Sequence, residues 1–111
     1  THDGEDLWQK LVKPARQLEF VVCGHVMGRH VGYRHDSNVH GLEVHQMLFN
    51  AQGLGGSPNQ QGNGGDGWLR LMTLRPDGQT LDVRSFSPYR LAKGQDPWWR
   101  DLDHSFTLRF A

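Results

Sequence analysis

Five histidines fall at positions 25, 30, 35, 40 and 45, and the first of them sits in the glycine-flanked segment Gly24-His25-Val26-Met27-Gly28. Imidazole is a common ligand for divalent metals, and glycine lets a backbone come close to an anion. The segment follows the apolar run Phe20-Val21-Val22-Cys23, and in open α/β sheets ligands gather just beyond the carboxyl ends of strands. Metal or phosphoryl binding is therefore the chemistry to look for at His25. The regular spacing by itself gathers nothing, because five residues turn a helix by about 500° and reverse the face of a strand. Only a loop could bring those imidazoles together. The competing reading at each one is a local hydrogen bond or a solvated ring.

Other chemistries fit less well. Asp103-His104-Ser105 holds the residue types of a triad, but neighbours on a strand point to opposite faces and cannot relay a proton that way. No glycine-rich loop carries the lysine of a phosphate cradle, and the run from Gly53 to Gly67 has linker composition. Trp98-Trp99-Arg100 could stack on a base or a sugar, or plug a core edge. Arg70 and Arg84 could neutralise a phosphoryl group, or pair across a hairpin. Cys23, the only cysteine, excludes an internal disulfide, and its apolar neighbours predict a buried structural thiol.

The elements that must position these residues can be read from pattern. Asp3 is placed to cap a helix over residues 4–13, with Leu7, Trp8, Leu11 and Val12 on one face and Pro14 ending it. Residues 18–23 read as a short strand buried on both faces. Residues 29–41 read as a polar loop, and residues 42–49 as a central strand with apolar side chains in both alternation sets. The stretch 51–67 is expected to be flexible. Residues 68–74 and 80–86 form a hairpin around Arg75-Pro76-Asp77-Gly78-Gln79. Residues 89–103 read as a long loop, and Phe106, Leu108 and Phe110 mark a final half-buried strand. This is an α+β pattern, an N-terminal helix on a mainly antiparallel sheet of about five strands.

The 111 residues fit a single domain with one modest core. Lysine plus arginine equals aspartate plus glutamate, so no long-range field steers the chain towards nucleic acid or an anionic membrane. No apolar run is long enough to span a bilayer, and the polar start, Thr1-His2-Asp3-Gly4-Glu5-Asp6, is unlike a cleavable leader.

Taken in order, six segments resemble the C-terminal part of calcineurin-like metallophosphoesterases. They are Leu7-Trp8-Gln9-Lys10-Leu11-Val12, the segment from Phe20 through Gly24-His25 to Gly28, Val44-His45-Gln46-Met47-Leu48, Gly67-Trp68-Leu69-Arg70-Leu71-Met72-Thr73-Leu74, Val83-Arg84-Ser85-Phe86-Ser87-Pro88 and His104-Ser105-Phe106-Thr107-Leu108. In that family two divalent metals on loops at the end of a β-sandwich activate a hydroxide and hold phosphoryl oxygens. His25 matches the first histidine of its Gly-His-x-His motif. Met27 stands where the second would be, and a thioether is a poor substitute for imidazole on a hard or borderline metal. The family's earlier metal-binding motifs have no counterpart and would lie upstream of Thr1.

The resemblance implies the second half of a two-sheet sandwich acting on a small phosphoester. Its metal, zinc or manganese with iron as a further choice, would be held by His25, His40 and His45, leaving a position open for water. Asp36 is the candidate general acid or base. A lone half-sandwich would expose an apolar face that includes Val44, Leu69, Leu71 and Phe106, which predicts a homodimer or larger homo-oligomer. The alternative function is a catalytically silent binding or assembly module.

Overall fold

The computed structural model describes residues 3–26, 30–55 and 64–110. Asp3 caps the first helix as its sequence predicts, its side chain accepting from the N–H groups of Glu5 and Asp6. The helix runs as α1 (Gly4–Leu7) and continues into a π-helical turn, Trp8–Val12, closed by the Lys13 N–H on the Trp8 carbonyl at 2.8 Å. Pro14 then stops it. Of the predicted apolar face only Val12 is buried; Leu7 and Leu11 stay 59 % exposed.

Three strands form the first sheet: β1 (Phe20–Cys23), β2 (Val31–Ser37) and β3 (Glu43–Phe49), in the order β1-β3-β2. β1 runs parallel to β3 and β2 antiparallel to it, with Phe20 and His35 both opposite His45. The central position of β3 follows from apolar side chains in both of its alternation sets. β2 corrects the loop expected over 29–41. Arg34 and Asp36 belong to one row of this edge strand, while Val31 and Tyr33 lie on the row shared with Met47 and Phe49, which His35 and Ser37 continue. Full-length pairing with β3 outweighs the turn propensity of Gly32, Asp36 and Ser37. β1 is also an edge strand, so Val22 and Cys23 are exposed instead of buried.

The second sheet holds β4 (Leu69–Leu74), β5 (Thr80–Phe86), β6 (Trp98–Trp99) and β7 (Ser105–Arg109). β5 pairs with β4 along one side and with β6 and β7 end to end along the other. The predicted hairpin is present: Gly78 takes φ +68°, and Asp77 accepts from the N–H groups of Gln79 and Thr80 at 2.9 Å each. The loop expected over 89–103 instead contains α2 (Pro88–Ala92) and β6. Ser87 caps α2 through its side chain, and proline occupies its first turn.

Alternation turns one face of each sheet towards the other. Met47 packs with Leu81, Val83 and Leu108, and Phe20, Phe106 and Phe110 close around them. Tyr33 lies 6.1 Å from Phe106, and the Arg70 guanidinium sits 4.7 Å above the Phe49 ring. The result is a flat body, 48 × 40 × 17 Å, with a radius of gyration of 16.1 Å, where a compact domain of this length has about 13 Å. The α+β class, the N-terminal helix and the mainly antiparallel strands are as expected; among the described residues the strands divide three and four between two sheets. Phe106 turns inward because the two sheets cover each other, and Val44, on the opposite row of β3 from Met47, is fully buried as well, unlike the exposed face expected for them. Leu69 and Leu71, on the outer row of edge strand β4, are 37 % and 43 % exposed.

Of the stretch expected to be flexible, residues 56–63 lie outside the described part. Its described flanks are docked on each other. The Gly65 N–H meets the Leu54 carbonyl at 3.0 Å, and Gly65 lies so close to Ala51 that a Cβ there would overlap the Ala51 carbonyl.

Candidate functional site

His25 follows the carboxyl end of β1, exposed, with φ +71°. The Val26 N–H bonds the Gly24 carbonyl at 2.9 Å, so His25 is the centre of a three-residue turn. With positive φ this is the rare, strained form of the γ-turn. Non-glycine residues held there cost about 1–3 kcal/mol and cluster at functional sites. Gly24 beside it leaves room for the Phe49 carbonyl, 3.4 Å from where a Cβ would stand.

His40 sits at the other end of the sheet. It belongs to the turn between β2 and β3, and its Nε2 donates to the Pro14 carbonyl at 3.0 Å. That turn is anchored by buried Asn38, whose side chain donates to the Ala15 carbonyl and accepts from the His40 and Leu42 N–H groups. The seven residues of β3 separate the two ends by about 20 Å, so one chain does not bring His25 and His40 together. His45 lies between the sheets, 9 % exposed, with Nδ1 2.7 Å from the Tyr33 hydroxyl and its ring edge-on to Phe110. Burial first, then the neighbouring His35, lowers its pKa.

Asp36 is engaged as well. Arg34 grips both its oxygens at 2.7 and 2.9 Å and Gln46 donates to it at 2.8 Å. The Arg34 bonds hold its carboxyl below the ordinary range, which suits an ion-pair partner better than a proton donor near neutrality. His35 bonds Glu43 at 2.5 Å, and Ser37 donates to the other oxygen of the same carboxylate. Among the described residues no group of three or more histidine, cysteine, aspartate and glutamate side chains is arranged to hold a metal. A metal held by His25 must therefore find its other ligands beyond those residues.

The opposite end of β3, where β1 finishes and β2 begins, carries more than His25. His30 is anchored there by the Asn50 N–H on its carbonyl, and its Nε2 lies 3.1 Å from Nε2 of His104. His104 is 1 % exposed; its Nδ1 is 3.0 Å from the Ser85 hydroxyl, and its ring stacks on Trp99 at 3.7 Å. The sequence names His30 among the evenly spaced histidines and His104 within Asp103-His104-Ser105, but it does not pair them, since a histidine within a polar run has no periodic signal. The alternation of β5, which buries Ser85 beside Val83, was the available hint. His2 lies outside the described residues.

Compared with protein-family models, with curated proteins and with solved structures, the chain gives no match. Among the described residues, no helix is long and apolar enough to cross a membrane.

Proposed function

We propose that this protein takes part in metal-dependent hydrolysis of a small phosphoester, with His25 as one ligand of the metal. The supporting observation is the strained, exposed backbone of His25 at the carboxyl end of β1, in the segment that resembles the ligand turn of metallophosphoesterases. A divalent zinc, manganese or iron ion, when bound, would supply an activated water. The chain's own part is to hold one imidazole outward on a fixed turn, with Gly24 allowing the close approach. The remaining ligands come from outside the described residues of this chain or from a second copy of it. His40 and His45 do not join it within one chain, because the first is spent on Pro14 and the second on Tyr33.

The test is chelator-sensitive turnover of an aryl phosphodiester, with zinc or manganese content measured on the same sample. His25→Ala should abolish both turnover and stoichiometric metal. Turnover that survives this substitution would sink the assignment.

One observation favours a second reading, an assembly module. Edge strand β4 presents Leu69, Leu71, Met72 and Leu74 to solvent, and an exposed apolar edge is a template for a second copy. Leu71→Lys should convert a dimer to a monomer in sedimentation velocity. A monomer before substitution, at micromolar concentration, removes this reading.

A further inference from the structure

A second site does not include His25. The stems of the glycine-rich stretch, the start of α2 and strand β6 enclose an open cleft of about 490 Å³, within the range of small-ligand pockets. Three of the four tryptophans line it: Trp68, Trp98 and Trp99. Trp68 and Trp99 meet at 5.0 Å with their planes tilted 48°, and Trp98 leans on Phe86 yet remains 38 % exposed. The sequence leaves open whether Trp98-Trp99-Arg100 plugs a core edge or stacks on a ligand. Trp99 does the first, through His104; Trp98 is free to do the second.

The polar lining is balanced. Arg90 and Arg100 face Asp66 and Asp96, and the formal charges cancel. Arg100 is held on Asp96 at 3.2 and 3.3 Å, while Arg90 donates to the Asp96 carbonyl at 2.8 Å and lies 5.6 Å over the Trp68 ring. A cationic ligand would find the Trp68 face already taken by a guanidinium and the Asp96 carboxylate already neutralised. An anion would find Arg100 committed and two carboxylates nearby. A pure hydrocarbon would strip water from four charged side chains and return no hydrogen bonds. What remains is a neutral ring with apolar faces and a hydroxyl rim.

A further feature marks the cleft as built. Asp66 is the other described non-glycine residue with positive φ, +50°, and it sits among Gly64, Gly65 and Gly67, all left-handed. The buried Ser87 hydroxyl donates to the Asp66 carbonyl, fixing this strained turn at the cleft wall.

We propose that this cleft binds a neutral carbohydrate ring, its C–H face stacked on Trp98 and its hydroxyls reaching Asp96 and Arg100. The assignment is independent of the metal reading at His25. The experiment titrates the intact chain with neutral tetrasaccharides of glucose, mannose and N-acetylglucosamine, following the indole N–H signals by NMR, with uridine and adenosine as uncharged nucleoside controls.

At least one saccharide should shift the Trp98 and Trp68 signals saturably while that of Trp8 stays in place. Trp98→Ala should weaken binding by about tenfold or more, the usual cost of losing one stacking ring. Trp98→Phe, which keeps a ring against Phe86, should weaken it less and serves if the alanine variant fails to fold. No saturable shift with any of the three saccharides, an equal response to the nucleosides, or undiminished binding by the substituted chain overturns the proposal.

Discussion

His30 and His104 face each other Nε2 to Nε2 at 3.1 Å, and Ser85 closes the far side of His104 at 3.0 Å. Such a chain is satisfied when one imidazole donates and the other accepts, and it is broken when both carry a proton on Nε2. Burial, then the proximity of His30 and of Arg70, brings the pKa of His104 down to about 4.

Stability should therefore depend on pH through this pair. Unfolded, the imidazole takes up its proton near 6.5, whereas folded it does so near 4. Between those values the unfolded chain holds more protons, so stability rises with pH; the contribution is whole above 6.5 and is lost as pH falls to 4. Urea unfolding across this window should show a loss on the order of 2 kcal/mol that His104→Gln largely removes. An unchanged slope in that variant would assign the loss to other groups, His45 first among them.

Gly65 should be the least replaceable glycine among those described. Its φ is +94°, and an added Cβ would overlap the backbone carbonyl of Ala51. Gly78 has φ +68° but open space around it. Gly65→Ala should cost about 3 kcal/mol or more, and Gly78→Ala about 1 kcal/mol. Equal melting temperatures for the two variants would contradict the close approach.

The strain at His25 can be separated from its chemistry. His25→Gly relieves the positive φ and His25→Ala does not, so the glycine variant should be the more stable by about 1 kcal/mol in denaturant unfolding. Both lose the imidazole, and both should lose metal. A glycine variant no more stable than the alanine one would mean that the turn is unstrained.

Ser87 serves two elements at once, receiving the Arg90 N–H at 3.0 Å as the cap of α2 and donating to the Asp66 carbonyl. It is fully buried. Ser87→Ala should cost about 2 kcal/mol, at the upper end for a lost cap because the bond to the Asp66 carbonyl is lost with it. The same variant should loosen the wall of the tryptophan cleft, visible as a red-shifted tryptophan emission.

Much of this arrangement is written locally. The Asp3 cap, the Asp77-Gly78 turn and the strands of the hairpin depend on residues within a few positions of one another, and each stands where its pattern puts it. So does β3, whose apolar residues on both sides suit a strand flanked by two others. Cys23 shows where local reading fails. Its apolar neighbours suggest burial, but β1 lies at the edge of its sheet and the thiol is exposed, donating to the Met47 carbonyl at 3.5 Å. β2 fails for the related reason that an edge strand with a solvated outer row looks like a loop until its partner is known.

By itself the sequence determined the helix cap, the turns, the central strand and an unusual histidine between two glycines, because propensity and periodicity act over short spans. Tertiary structure alone decided which histidines meet. His25, His40 and His45 are the ligand set that the resemblance implies, yet β3 sends the first two to opposite ends of a sheet. His30 and His104, 74 positions apart, come into contact because two sheets pack face to face, a relationship that no local pattern encodes.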